Sequence, residues 1–239
     1  MTDTIRGSVV LITGATGAIA QALMSALAAR GAAKIYAAAR DISAFAASPQ
    51  LVPIRMDVTS DEDVANAAAI ATDVTLLINN AGVNHNTGFM IAPDLAIARE
   101  EIETNYLAPL RVTRAFAPTL IKNSGAVLNM LTILARVNLP FMGSYCASKA
   151  AGLSLTQGLR GELGPKGVRV AAALPGAIDT RMTAMLTIPK MTPAEATAEI
   201  LDGFEAGEEE IYVGDMARGI AQGLAHDPKA VERQLASPG

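Results

Sequence analysis

Short runs of unbroken apolar residues alternate along this chain with longer stretches in which apolar positions recur every three or four residues. The runs fall at 8–13, 34–39, 51–56, 74–79, 125–132 and 168–174, with a short last candidate at 210–213. Each has the length of a strand, and continuous apolarity marks a strand buried on both faces. Helical spacing covers about 17–30, 61–71, 93–122 and 144–163, and Thr192-Pro193 restarts a helix. Ser60 stands where its hydroxyl would cap the helix at 61–71. Strands that alternate with helices predict βαβ units, and these predict a parallel sheet covered on both faces. No internal repeat or low-complexity linker interrupts the pattern, so 1–239 reads as a single domain of α/β class.

Composition narrows the picture. The chain is 51% hydrophobic and 18% charged, which excludes disorder. A net charge of −4 and the lack of any dense Lys or Arg run argue against a nucleic-acid partner. Cys146 is the only cysteine, so no disulfide forms within the chain. Residues 1–7 lack the apolar stretch of a signal peptide, and no apolar run approaches the ~20 residues that span a bilayer. A cytoplasmic protein with no membrane partner is expected. His85 and His226 are the two histidines and neither sits in a ligand cluster, so no metal site or metal-dependent hydrolase is expected.

Two segments carry candidate chemistry. Directly after the first strand comes Thr13-Gly14-Ala15-Thr16-Gly17-Ala18-Ile19-Ala20, and a helix follows. Glycines let a backbone turn tightly and approach a ligand, and the N–H groups of a helix start attract an anion. The strand–glycine–helix order predicts a pyrophosphate site, against the plainer reading of a βα turn made of small residues. Further on, Tyr145 and Lys149 stand four residues apart, and Thr132 precedes the tyrosine by thirteen. Positions i and i+4 share a helix face. An ammonium beside a phenol favours the phenolate and is expected to lower the tyrosine's pKa from ~10. A tyrosine so tuned exchanges a proton with an alcohol or a carbonyl oxygen. By itself the pair describes a partly exposed helix face; its weight comes from its company.

That company is an ordered set: Thr13-Gly14 with Gly17, Asp57-Val58, Asn79-Asn80-Ala81-Gly82, Asn105, Thr132, Tyr145 with Lys149, and Pro175-Gly176 followed by Thr180. Over nearly its whole length the chain resembles the short-chain dehydrogenase/reductase family, in its shorter single-domain branch. The resemblance implies a Rossmann-type doubly wound parallel β-sheet with helices on both faces. It implies hydride transfer between a nicotinamide and a carbon bearing oxygen, as in a ketoreductase or secondary-alcohol dehydrogenase. Tyr145 would be the general acid or base. Lys149 would tune it and hold the nicotinamide ribose, Thr132 would hydrogen-bond the substrate oxygen, and Asn105 would position water in a relay behind Lys149. Gly14, Thr16, Gly17, Ala18 and Ile19 would face the pyrophosphate, Asp57 and Val58 the adenine, and Asn80, Ala81 and Gly82 the adenosine ribose. Pro175, Gly176, Ile178 and Thr180 would line the nicotinamide side. A homodimer or homotetramer paired through the helices around Asn105 and Tyr145 is also implied.

The chain departs from the family pattern in three places. Ala18 and Ala20 stand where the short branch has glycines, and Thr132 stands where serine is usual. The lid after Pro175-Gly176 spans only about 182–191, which predicts an open site. The second strand ends Ala37-Ala38-Ala39-Arg40-Asp41. In family terms the acidic position is Ala39, and the arginine that follows suits a 2′-phosphate, so NADP(H) is expected over NAD(H). Asp41 comes one residue late for a ribose diol. Around the substrate, the loop 83–87 with His85 and the lid residues Met182, Met185 and Leu186 would form an apolar wall for hydrophobic ketones or alcohols. Cys146 reads as core, and His85 as an exposed loop residue. Two rival readings are an NAD-dependent alcohol or diol dehydrogenase and a regulator that senses NADP without turnover.

Overall fold

The structure, a computed structural model, describes residues 5–236, so most of the segment read for a leader lies outside it. The apolar runs become seven strands: β1 (Val9–Thr13), β2 (Lys34–Ala39), β3 (Leu51–Arg55), β4 (Leu76–Asn79), β5 (Ala126–Met130), β6 (Arg169–Pro175) and β7 (Glu210–Val213). They pair in parallel throughout, in the order β3-β2-β1-β4-β5-β6-β7. The helices are α1 (Ala18–Ala29), α2 (Asp61–Ile70), α3 (Ala96–Ile102), α4 (Ala108–Lys122), α5 (Gly143–Leu163), α6 (Pro193–Glu205), α7 (Gly214–His226) and α8 (Pro228–Ala236). This is the doubly wound sheet expected from the alternation of strands and helices.

Each strand feeds two cores because its side chains alternate between faces. Val10 and Ile12 of β1 pack with Leu23 and Leu27 of α1 and with Ile200 and Phe204 of α6. Leu11 points the other way, into a second core with Val112 and Phe116 of α4 and Leu159 of α5. Ser60 caps α2 as expected, its Oγ accepting from Asp63 N at 3.1 Å. Thr192 and Glu195 form a reciprocal capping box that starts α6.

Two features depart from the sequence-based expectation. The helix read over 93–122 starts at Ala96 and is interrupted by a π-helical turn over Glu103–Leu107. A π turn uses the same residue types as an α-helix, so the pattern of apolar positions does not reveal it. Helices α7 and α8 carried no expectation. Gly214, Gly219 and Gly223 weaken the helical signal there, and Met216 remains partly exposed.

Candidate active site

The strand order reverses beside β1, and the C-terminal ends of β1 and β4 diverge to leave a crevice. Gly14 leaves β1 there with φ 65°, and a Cβ on it would lie 2.9 Å from Ala81 Cα. Only glycine fits that conformation and that approach. The two loops are also tied by polar groups. Thr13 Oγ1 accepts from Asn80 N and Ala81 N, both at 3.0 Å, and Asn80 Nδ2 donates to Thr13 O at 3.0 Å. Thr13 therefore has a clamping role not assigned to it in the sequence, although its β-branched hydroxyl at a strand end was a signal for one.

Helix α1 starts just past this junction with no side chain capping its first turn. Thr16, Gly17 and Ala18 are exposed and Ile19 is half-buried, so the uncapped N–H groups are left as donors for an anion. Ala20, at an expected glycine position, is wholly buried in the core. Its methyl group is accommodated between helix and sheet. Close backbone approach, an uncapped helix start and a cation at the end of β2 together fit a dinucleotide.

That cation is Arg40, exposed directly after β2. Asp41 is turned into its own loop, where Oδ1 accepts from Ser43 N at 2.9 Å. A second cation, Arg55, ends β3 in register with Ala39. It was not among the expected site residues because parallel register is not visible in a sequence. Asp57 Oδ1 accepts from Thr59 N at 2.9 Å and Thr59 Oγ1 at 2.7 Å. Those hydrogen bonds, with smaller contributions from Arg40 and Arg55, hold its carboxyl below the usual range. Val58 O accepts from Arg111 Nη1 at 3.1 Å.

The four expected catalytic residues are all buried. Asn105 lies in the π turn and is buried. Its Oδ1 accepts from Val83 N, and its Nδ2 donates to Val83 O and Ser148 Oγ, all at 2.9 Å. The side chain thus holds the 83–87 loop against α5. Lys149 is 5% exposed and its Nζ donates to Met130 O at 2.9 Å. Gly82 faces both: a Cβ there would stand 3.1 Å from Asn105 Oδ1 and 3.4 Å from Lys149 Nζ. Thr132 Oγ1 donates to Pro175 O at 3.2 Å and accepts from Leu134 N at 3.3 Å. A small cavity lined by Asn79, Asn105, Asn129 and Lys149 leaves ≈ 10 Å³ for the centre of a water, about one molecule.

The electrostatics of the pair correct one expectation. Burial outweighs the lowering expected from Lys149. The ammonium is turned to Met130 O and lies 5.8 Å from the ring centroid. Burial raises the phenol's pKa well above its ordinary value, and the charges of Cys146 and Glu101 raise it further. Burial also pulls Lys149 down, to about 8. Removal from water disfavours the charged form of each group, so the two pKa values move apart.

The lid corrects a second expectation. Met182 and Leu186 pack on a cluster of Met142, Tyr145 and Cys146, leaving Tyr145 9% exposed, so the short lid covers the site and does not leave it open. Its base is tied by a bridge between Ile178 and Met191 and by Lys190 Nζ to Asp179 Oδ1 at 2.9 Å. Thr180 starts its short helical turn through a capping box with Thr183. Met185, expected in the wall, is instead 60% exposed. Pro175 and Gly176 close β6, and Gly176 N donates to Val213 O at 3.1 Å. Cys146 is buried as read. His85 is exposed, with Nε2 3.0 Å from Glu100 Oε2.

Several known proteins are similar to this chain. The family model described as short chain dehydrogenase matches residues 8–190. A short chain dehydrogenase from Burkholderia cenocepacia J2315, solved in complex with NADP, is 46% identical, with a TM-score of 0.95 over 98% of this chain and 100% of its own. The uncharacterized oxidoreductase YmfI of Bacillus subtilis is 31% identical over 219 residues, 87% of this chain and 85% of that one. The 11-beta-hydroxysteroid dehydrogenase 1A of Arabidopsis thaliana is 31% identical over 193 residues, 76% of this chain and 55% of that one. The chain spans about half the length of some curated relatives, this one included. Among the described residues no helix is long and apolar enough to cross a membrane. A family model matched over most of the chain, on a sheet whose switch point brings the expected motifs together, shows that this protein belongs to the short-chain dehydrogenase family of oxidoreductases.

Proposed function

We propose that this chain is an NADP(H)-dependent ketoreductase or secondary-alcohol dehydrogenase. The observation that carries the reading is the buried face of α5, where Tyr145 and Lys149 lie next to the β1–β4 crevice. Arg40 supports the choice of NADP(H), since an exposed guanidinium at the end of β2 suits a 2′-phosphate. The NADP complex of the Burkholderia relative supports it independently. Bound in the crevice, the nicotinamide would supply or accept the hydride.

The residues of this chain would do the rest. Backbone N–H groups of Thr16, Ala18 and Ile19 would hold the pyrophosphate, while Gly17 N is held by Gly14 O, and Asn80, Ala81 and Gly82 would bound the path of the adenosine ribose. Lys149 commits one N–H to Met130 O and keeps two for the nicotinamide ribose. Tyr145 Oη hands its proton to the substrate oxygen in reduction and takes one in oxidation. Thr132 would stabilise charge on the same oxygen by turning its single O–H from Pro175 O to the substrate. Asn105 shares the small cavity with Lys149, so that a water there extends the proton path behind the lysine. Met142, Met182 and Leu186 line the substrate side with apolar surface suited to hydrophobic ketones. Family resemblance supports a homodimer or homotetramer, the uninterrupted strand–helix alternation a single domain over 1–239, and the composition a cytoplasmic location.

The test is reduced-nicotinamide absorbance with purified protein, NADPH or NADH, and a panel of aryl and alkyl ketones. Consumption of NADPH in preference to NADH with some of the ketones is expected. NADPH that binds on titration but is never consumed would favour the sensing rival.

A further inference from the structure

Glu101, on α3, is 1% exposed and has no part in the steps above. Its Oε1 accepts from His85 N at 2.9 Å, and its Oε2 accepts from Ser144 Oγ. The two donors belong to different elements. His85 lies in the 83–87 loop, which also reaches Met142 through Asn84 and the lid at Met182 O through Asn86. Ser144 is the residue before Tyr145 in the first turn of α5 and is itself buried.

A carboxylate taken out of water is costly unless hydrogen-bonded, and both donors to this one are uncharged. An apolar side chain would fill the place without that cost. What it would not do is accept from two elements at once. We propose that Glu101 is a positioning residue, tying the substrate-facing 83–87 loop to the first turn of α5 so that loop and Tyr145 keep a fixed spacing. The inference rests on the oxidoreductase reading only for what that spacing serves.

The carboxylate also bears on the tyrosine's proton. The groups around Tyr145 are Cys146 and Lys149 on α5, Glu101 on α3 and the uncharged Leu134, Leu139, Met182 and Leu186 of the flanking segments. His85 pairs outward with Glu100. Glu101 is thus a negative charge that opposes loss of the phenolic proton.

Three variants test this. Glu101→Leu removes both ties, while Glu101→Gln keeps an acceptor for His85 N and offers a donor to Ser144 Oγ without the charge. Ser144→Ala cuts one tie and serves if the leucine variant does not fold. For Glu101→Leu, amide exchange in 83–87 should quicken and KM for a ketone rise roughly tenfold, the order for one hydrogen bond to a charged group, with NADPH affinity unchanged. Glu101→Gln should restore exchange and KM, yet move the rising limb of the pH profile for alcohol oxidation to lower pH. Wild-type exchange and KM in Glu101→Leu would overturn the inference, as would NADPH affinity falling in step with KM, or Glu101→Gln behaving like Glu101→Leu. If the wild-type protein turns over no ketone, the functional reading fails separately. Amide exchange would still decide the tie: quicker in Glu101→Leu and restored in Glu101→Gln supports it, and unchanged exchange overturns it.

Discussion

Gly14 and Ala81 meet backbone to backbone, whereas Tyr145 and Lys149 act through side chains withdrawn from water. The crevice between β1 and β4 depends on what is missing: a Cβ at Gly14, a side-chain cap on α1, an acidic residue at Ala39. The face of α5 depends on what is buried, and burial sets its charges. A region defined by backbone shape should respond to added bulk. One defined by desolvation should respond to lost protons and to pH.

Replacing Tyr145 with Phe gives the largest expected effect. Turnover of a ketone should fall on the order of a thousandfold, within the span of general acid catalysis, while titration shows NADPH bound as before. Surviving activity would separate α5 from the chemistry and end the comparison. Gly14→Val attacks the other region. A side chain forced to φ 65° and against Ala81 should cost about 1–3 kcal/mol in denaturant unfolding and weaken NADPH by roughly a hundredfold. Normal affinity would mean that the crevice tolerates bulk. Arg40→Ala is narrower: NADPH affinity should drop roughly tenfold, as for a lost charged hydrogen bond, with NADH little changed. Equal losses on both cofactors would remove the basis for preferring NADP(H).

The last test sharpens the α5 side and reads stability, not turnover or affinity. Below its folded pKa of about 8, Lys149 is charged in both the folded and the unfolded chain, and the folded protein bears the whole penalty of burying it. Between about 8 and 10.5 only the unfolded chain keeps the proton, so stability relative to Lys149→Met should rise with pH. Urea unfolding of both proteins across that window measures it. A difference that stays flat would mean that the ammonium is solvated after all.

These contrasts also explain what was readable beforehand. The strands, including the short candidate at 210–213, and the glycine loop were legible because a covered sheet requires apolar runs and the turn requires small residues. Asn105, Thr132, Tyr145 and Lys149 were singled out through family-like spacing, and all four side chains are buried. The rise in the pKa of Tyr145 was not legible, since spacing says which face a lysine shares but not where its ammonium turns. Nor was the covering of Tyr145 by Met182 and Leu186, because lid length does not fix lid position. Glu101 escaped notice for a similar reason: in the sequence it is one acidic residue among Glu100, Glu101 and Glu103.

The π-helical turn over Glu103–Leu107 sets the phase between two helices. Upstream, α3 must point Glu101 inward; downstream, α4 must point Val112 and Phe116 into the other core. Removing one residue between them would swing the first about 100° against the second. Either the carboxylate would leave Ser144 or the aromatic ring would leave the sheet. For this stretch, the packing at both ends therefore fixes the number of residues between the two helices.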